Sequence, residues 1–370
     1  VADLAFVVGV YDRSCLPVCG LDNAASTRIA MTHRNRICAG LWCLLLALPA
    51  PAQQPVPPAD RSELLLIVGA PGKAEYGQSF STWADRWQRA AEQAGANVTV
   101  IGREAQPVNA GAVADRDAVL AAVSRNAAVN SREPLWIVFL GHGTFDQREA
   151  RLNLRGPDLS ASELAEACRP LQRPLTAVIC ASCSAPFLNA LSGPGRCVVT
   201  ATKDGNQLQY SRFGDYLSTA IAGLDGDIDR DGQTSLLEAW LFAARRTSDF
   251  YKTAGRLATE HSLLDDNGDQ QGVRAEIFSG LKTSTQVKAD KPIDGSLAAE
   301  MCLVLSPQER QLTAAQRQQR EQLEAELNVV KQKKEQLSEA DYLQQLETIL
   351  LQLAQLYQTA EQQITPGTKP

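Results

Sequence analysis

The sequence predicts an α/β domain, a three-layer sandwich around a mainly parallel sheet, with a C-terminal α-helical hairpin appended. Three observations carry this. Short apolar runs alternate with amphipathic segments from about residue 62 onward; the runs are continuously apolar, as strands covered on both faces are; and from Pro307 the composition turns to Gln, Glu, Lys, Leu and Ala.

Leu64–Val68 is the first such run, and Trp83, Trp87, Ala90 and Ala94 then recur at helical spacing before Val98–Ile101 reads as a second strand. A helix is expected from about Asp115 to Ala127, then a strand at Leu135–Leu140. The capping box Ser160-Ala161-Ser162-Glu163 opens another helix, and strands follow at Thr176–Ile179 and Cys197–Thr200. In the C-terminal region Leu323, Leu327, Val330 and Leu337 form one stripe and Leu343, Leu346, Leu350, Leu353 and Tyr357 another, with a cap at Ser338–Asp341 between them. Two helices joined so closely predict an antiparallel hairpin, packed on the main domain or on a second copy, so association through these helices is an expected partner mode.

A chain of 370 residues, 44% hydrophobic and 21% charged, can bury a sizeable core and exceeds one compact domain. A net charge of −6 and a pI near 5.3, with no basic run outside the N-terminal region, exclude nucleic acid as an expected partner. Residues 1–30 read as a fragment or an upstream mis-start. Met31 opens an export signal over residues 31–52: Arg34 and Arg36 precede the apolar stretch Ile37 to Ala50, and cleavage is expected after Ala52. That stretch is too short for a stable membrane span, so the expected location is periplasmic or extracellular. A proline-bearing linker (53–61), the α/β domain (62–280), a second linker with a final strand (281–306), the hairpin (307–363) and a tail (364–370) complete the division. Cys15, Cys19, Cys38 and Cys43 fall before the expected cleavage point, leaving Cys168, Cys180, Cys183, Cys197 and Cys302, an odd number that predicts an unpaired thiol.

In such sheets chemistry sits beyond the carboxyl ends of the strands. Leu135–Leu140 runs into Gly141-His142-Gly143, which suits a general base beside an oxyanion donor, the Gly143 N–H. Strand Thr176–Ile179 ends in Cys180-Ala181-Ser182-Cys183-Ser184-Ala185, which sets hydroxyls and thiols on a neighbouring strand tip.

A strand ending in His-Gly followed by one ending in Ala-Cys-x-Ser-Gly resembles the legumain family and its caspase relatives, peptidases with a His-Cys dyad. The similarity spans roughly Ser62 to Phe278. It implies a caspase-like sandwich, hydrolysis of peptide bonds in a polypeptide substrate, no cofactor for catalysis, His142 as base and Gly143 as oxyanion donor. The nucleophile position admits two registers: one places Ser182 there with Ser184-Ala185 after it, the other restores Cys183 but sets Ala185 and Pro186 where Ser and Gly belong. A serine needs stronger activation than a thiol. Two functions therefore stand: a peptidase using Cys183 or Ser182 with His142, or a silent relative that binds a protein partner.

Asp227-Ile228-Asp229-Arg230-Asp231-Gly232 with Glu238 has the spacing of a twelve-residue calcium loop, with Asp227, Asp229, Asp231 and Glu238 as ligands of a structural Ca2+; an acidic helix cap is the other reading. The acidic turn Leu263–Asp269 lacks glycine at the sixth position of such a loop and reads as a solvated turn. Gly69-Ala70-Pro71-Gly72-Lys73-Ala74 fits neither dinucleotide nor phosphate-loop patterns, and Cys180/Cys183 lacks the second pair of a zinc site. Lys203 and Arg212 are candidates to line a pocket.

Overall fold

The computed structural model describes residues 61–103, 113–283, 293–334 and 336–364. They fall in one unit, Pro57–Pro370, whereas the upstream segment, the export signal, most of the first linker and most of the tail lie outside the described residues.

The chain opens with β1 (Glu63–Val68), α1 (Ala74–Ala94), β2 (Asn97–Ile101), α2 (Asp115–Ala127) and β3 (Leu135–Leu140). A small antiparallel sheet follows, formed by β4 (Gly143–Phe145), β5 (Ala150–Leu152) and β6 (Leu159–Ser160). Then come α3 (Ala161–Cys168), β7 (Leu175–Cys180), α4 (Ala185–Leu191), β8 (Arg196–Thr200), α5 (Phe213–Ile221), α6 (Leu236–Thr253) and β9 (Leu263–Asp265). The main sheet has the order β2-β1-β3-β7-β8-β9, parallel throughout except for the antiparallel edge strand β9.

Side chains alternate across this sheet and build two cores. Leu64, Leu66, Trp136, Val138, Val178 and Val199 pack against α1, α5 and α6, while Leu65, Ile67, Ile137, Phe139, Ile179 and Val198 pack against α2, α3 and α4. Burial on both faces is why the strands read as continuous apolar runs, and the result is the expected three-layer sandwich. The capping box predicted at α3 is formed, with Ser160 Oγ accepting from Glu163 N–H and the Glu163 carboxylate accepting from Ser160 N–H.

Beyond the sandwich, β10 (Phe278–Ser279) and β11 (Lys282–Thr283) form a two-stranded ribbon, and part of the expected linker 281–306 lies outside the described residues. After α7 (Ser296–Glu300), Cys302 bridges Ser235. The last elements are α8 (Pro307–Gln311), α9 (Ala314–Gln332) and α10 (Glu339–Ile364).

The hairpin of α9 and α10 forms, but its seam differs from the predicted stripe. Leu323, Leu327 and Val330 of α9 meet Tyr342, Leu346, Ile349 and Leu353 of α10, whereas Leu343 and Leu350 are 55% and 51% exposed. Leucines stand on more than one side of α10, so leucine spacing alone fails to fix which side is inward. All five cysteines of the described residues are free thiols, Cys180 and Cys183 included.

Candidate functional site

Strands β3 and β7 are parallel neighbours in the register Leu140↔Cys180, and Gly141 N–H extends the ladder to Cys180 O at 3.2 Å. The two predicted tips therefore emerge side by side. Gly143 N–H donates to Ser182 Oγ at 3.1 Å, and the Ser182 hydroxyl donates to Gly143 O at 3.0 Å. Gly143 has no side-chain alternative here, because an added Cβ would stand 2.3 Å from Ser182 O.

His142 is half-buried among rings. Tyr76, Phe80 and Tyr210 lie 4.9, 5.2 and 6.1 Å from its centroid, and Tyr76 stacks on Tyr210 at 4.6 Å. Its Nε2 is 3.3 Å from Pro71 O, and a carbonyl only accepts, so the ring carries its proton on Nε2 and leaves Nδ1 bare. Burial pushes its pKa below the usual 6.5, against the opposing pull of the Pro71 bond. Neither Ser182 nor Cys183 forms a hydrogen bond to this imidazole among the described residues.

Cys183 packs against Gln207. It adopts φ +56°, is 1% exposed, donates its N–H to Gln207 O at 3.0 Å and directs Sγ at the same carbonyl at 3.9 Å. Burial raises the pKa of its thiol, the opposite of what an activated nucleophile requires. Gln207 is the hub of this turn: its side chain meets His261 Nδ1 at 2.7 Å and accepts from the N–H groups of Lys203 and His261. Ser184 is spent on structure, accepting from Ala201 and Thr202 N–H while its hydroxyl meets Thr202 Oγ1. Of the two candidates, Ser182 is the one whose hydroxyl bonds to Gly143.

No family model and no curated protein matches the chain. Among solved structures, drICE is similar at 14% identity, with 59% of this chain and 92% of that chain covered and a TM-score of 0.35. Caspase-1 from Spodoptera frugiperda (12% identity, 58% and 89% covered) and the Drosophila initiator caspase Dronc (12%, 58% and 83%) have the same TM-score of 0.35. These likenesses have no bearing on what the site does chemically.

Tyr76, Phe80, Tyr210 and Gln207 escaped the sequence reading, and Pro71 entered it only within the rejected Gly69–Ala74 motif. Tyr76, Phe80 and Trp83 do recur at helical spacing on α1, a signal read only for its later members. Of the suggested pocket residues, Arg212 lays its guanidinium 4.2 Å over Phe250 and 5.7 Å over Tyr210, and Lys203 is exposed.

In the acidic loop, carboxylate oxygens of Asp227, Asp229 and Asp231 lie within 4.8 Å of one another, and Gly232, at φ +84°, donates its N–H to Asp227 Oδ2. Glu238, the fourth expected ligand, has both carboxylate oxygens engaged by other donors. One carboxylate oxygen accepts from Ser235 N–H and O–H, the other from Ile228 and Asp229 N–H, so it caps α6 and ties down the loop backbone. The Asp227 Oδ1 atom is buried without a partner among the described residues, and burial raises the pKa of Asp229 and Asp231; an oxygen-only cluster of three carboxyl groups suits a hard cation such as Ca2+.

Proposed function

We propose that the chain is an exported protein of peptidase-like fold that binds a polypeptide segment beside His142 without cleaving it. The state of the two candidate nucleophiles carries this reading: the Ser182 proton is spent on Gly143 O, and the Cys183 thiol is buried against Gln207 O. Support for a polypeptide ligand comes from the site's place at the carboxyl ends of β3 and β7 and from the likeness of the sequence motifs to peptidases.

One observation favours hydrolysis through Ser182: its Oγ stands at the Gly143 N–H while His142 keeps a bare Nδ1. That arrangement lacks the hydroxyl-to-imidazole bond by which a base activates a serine.

Incubating the full chain with a mixed-sequence peptide pool, and following retention by anisotropy and new termini by mass spectrometry, tests the proposal. Retention without new termini is the expected result. Time-dependent cleavage abolished by His142→Ala contradicts it, as does a pool that is neither retained nor cut.

Two further assignments belong to this reading. A divalent cation, Ca2+, held by Asp227, Asp229 and Asp231 should raise the melting temperature of the wild type and leave that of Asp229→Asn unmoved. The side chains of Val329, Leu343, Leu350 and Leu351, exposed on the hairpin, support association through α9 and α10, which sedimentation equilibrium reads directly. Export is checked by fractionation; a cytoplasmic chain still carrying residues 31–52 would overturn it.

A further inference from the structure

Gln207 lies over Cys183, and its side chain is tied to a titratable ring. The Gln207 carbonyl accepts from Cys183 N–H at 3.0 Å and stands 3.9 Å from Cys183 Sγ. Its side chain joins the loop beyond β8 to the segment leading into β9, and the amide has a single workable orientation there. Oε1 accepts from Lys203 N–H at 2.9 Å and from His261 N–H at 3.2 Å, so Nε2 is the atom that stands 2.7 Å from His261 Nδ1. An amide nitrogen only donates, so Nδ1 is the bare acceptor and the neutral ring carries its proton on Nε2.

A proton on Nδ1 would set two donors face to face across this bond. The surroundings also oppose a charged ring. Burial disfavours it, as do Lys203 from the loop and Arg274 from the segment before β10, whereas Asp204 and Glu276 favour it more weakly; Glu276 is paired with Arg274 at 2.7 Å. The carboxylate of the adjacent Glu260 is engaged by Ser211 O–H, Tyr251 O–H and the N–H groups of Arg212 and Phe213. Lys203, Asn206, Leu208 and Gln209 of the loop are exposed, so lifting it strips little from the core.

We propose that the Gln207–His261 bond is an acid-sensitive latch over Cys183: a proton on Nδ1 frees the Gln207 side chain, the loop lifts, and the thiol is uncovered while the sandwich stays folded. The latched ring holds a proton less tightly than the released one, so the latch is closed above about pH 6.5 and opens as pH falls through the lower latched value. It rests on the withheld state of Cys183 proposed above; Ser182, bonded to Gly143, takes no part.

Labelling the full chain with a pyridyl disulfide, a probe that stays reactive in acid, between about pH 7.5 and about pH 5, with adducts mapped by mass spectrometry, tests the latch. His261→Asn sets a neutral acceptor near the Nδ1 position and is the reference at each pH, which cancels the thiol's own pH dependence. The wild-type to His261→Asn ratio of Cys183 labelling rates is expected near one at the upper limit and should rise below pH 6.5 by up to about tenfold per pH unit, with the fully buried Cys180 unlabelled throughout. If His261→Asn fails to fold, Gln207→Glu is the reference, since its carboxylate accepts from the charged ring and removes the rise. A flat ratio, or labelling of Cys180 in step with Cys183, overturns the latch. Fast labelling of wild-type Cys183 already at the upper limit contradicts the withheld state, and the latch with it.

Discussion

Gly143 and Ser182 hold each other so closely that neither tolerates change. Gly143→Ala drives a Cβ into the Ser182 carbonyl, and a cost of about 2 kcal/mol is expected in urea unfolding. Ser182→Ala leaves Gly143 N–H and C=O without their side-chain partner in a site only 3% exposed, for a loss of about 1–3 kcal/mol by the same measurement. At His142 the folded pKa lies below the unfolded one, so its contribution to stability is complete above about pH 6.5 and is lost as pH falls through the lower folded value. An NMR titration of the His142 ring should accordingly give a midpoint below 6.5. The sequence exposed His142, Gly143 and the two nucleophile candidates because glycine-flanked histidine and clustered Cys-Ser at strand ends are local signals. It left the choice between Ser182 and Cys183 open, because that depends on a left-handed turn at Cys183 and on Gln207, which is distant in the chain.

Among elements, the strands were legible and the hairpin seam was not. A strand buried on both faces announces itself as an unbroken apolar run, while α10 offers leucines to solvent as well as to α9. The distinction is measurable: Ile349→Ala, at a position 7% exposed in the seam, is expected to cost about 2–4 kcal/mol, and Leu350→Ala less than about 0.5 kcal/mol. Equal effects would restore the leucine stripe. The hairpin is also pinned to the preceding helix, where Arg320 pairs with the buried Glu309 at 3.0 Å and the Tyr357 hydroxyl donates to the same carboxylate. Arg320→Met strands that carboxylate, and a loss of roughly 3 kcal/mol with earlier proteolytic release of the hairpin is expected.

At the scale of the whole molecule, acidity accumulates where β9 meets the segment before α7. Asp266 caps that helix through Gly295 and Ala298 N–H, and Asp294 accepts from Asp266 N–H and Asn267 Nδ2, with Asp265 fully buried beside them. Burial pushes Asp294 up to about 7 and raises Asp266 as well. Folded carboxyls that hold protons more tightly than unfolded ones stabilise at low pH, so this contribution is complete below about pH 3.8 and is lost as pH rises through about 7. Asp294→Asn should flatten the fall in urea stability between those limits. The acidic turn Leu263–Asp269 marked Asp265 and Asp266 in the sequence, but not their burial or their partner, since Asp294 reaches Asp266 only through the folded chain.

At neutral pH the proposed absence of cleavage rests on Ser182 and Cys183 both being held by neighbouring backbone carbonyls, out of reach of a substrate. Treating the native full chain with a thiol-directed peptide electrophile and mapping adducts by mass spectrometry tests it most directly. The buried, high-pKa Cys183 should stay unmodified until the chain is unfolded; rapid native labelling of Cys183 that disappears in His142→Ala would contradict the account.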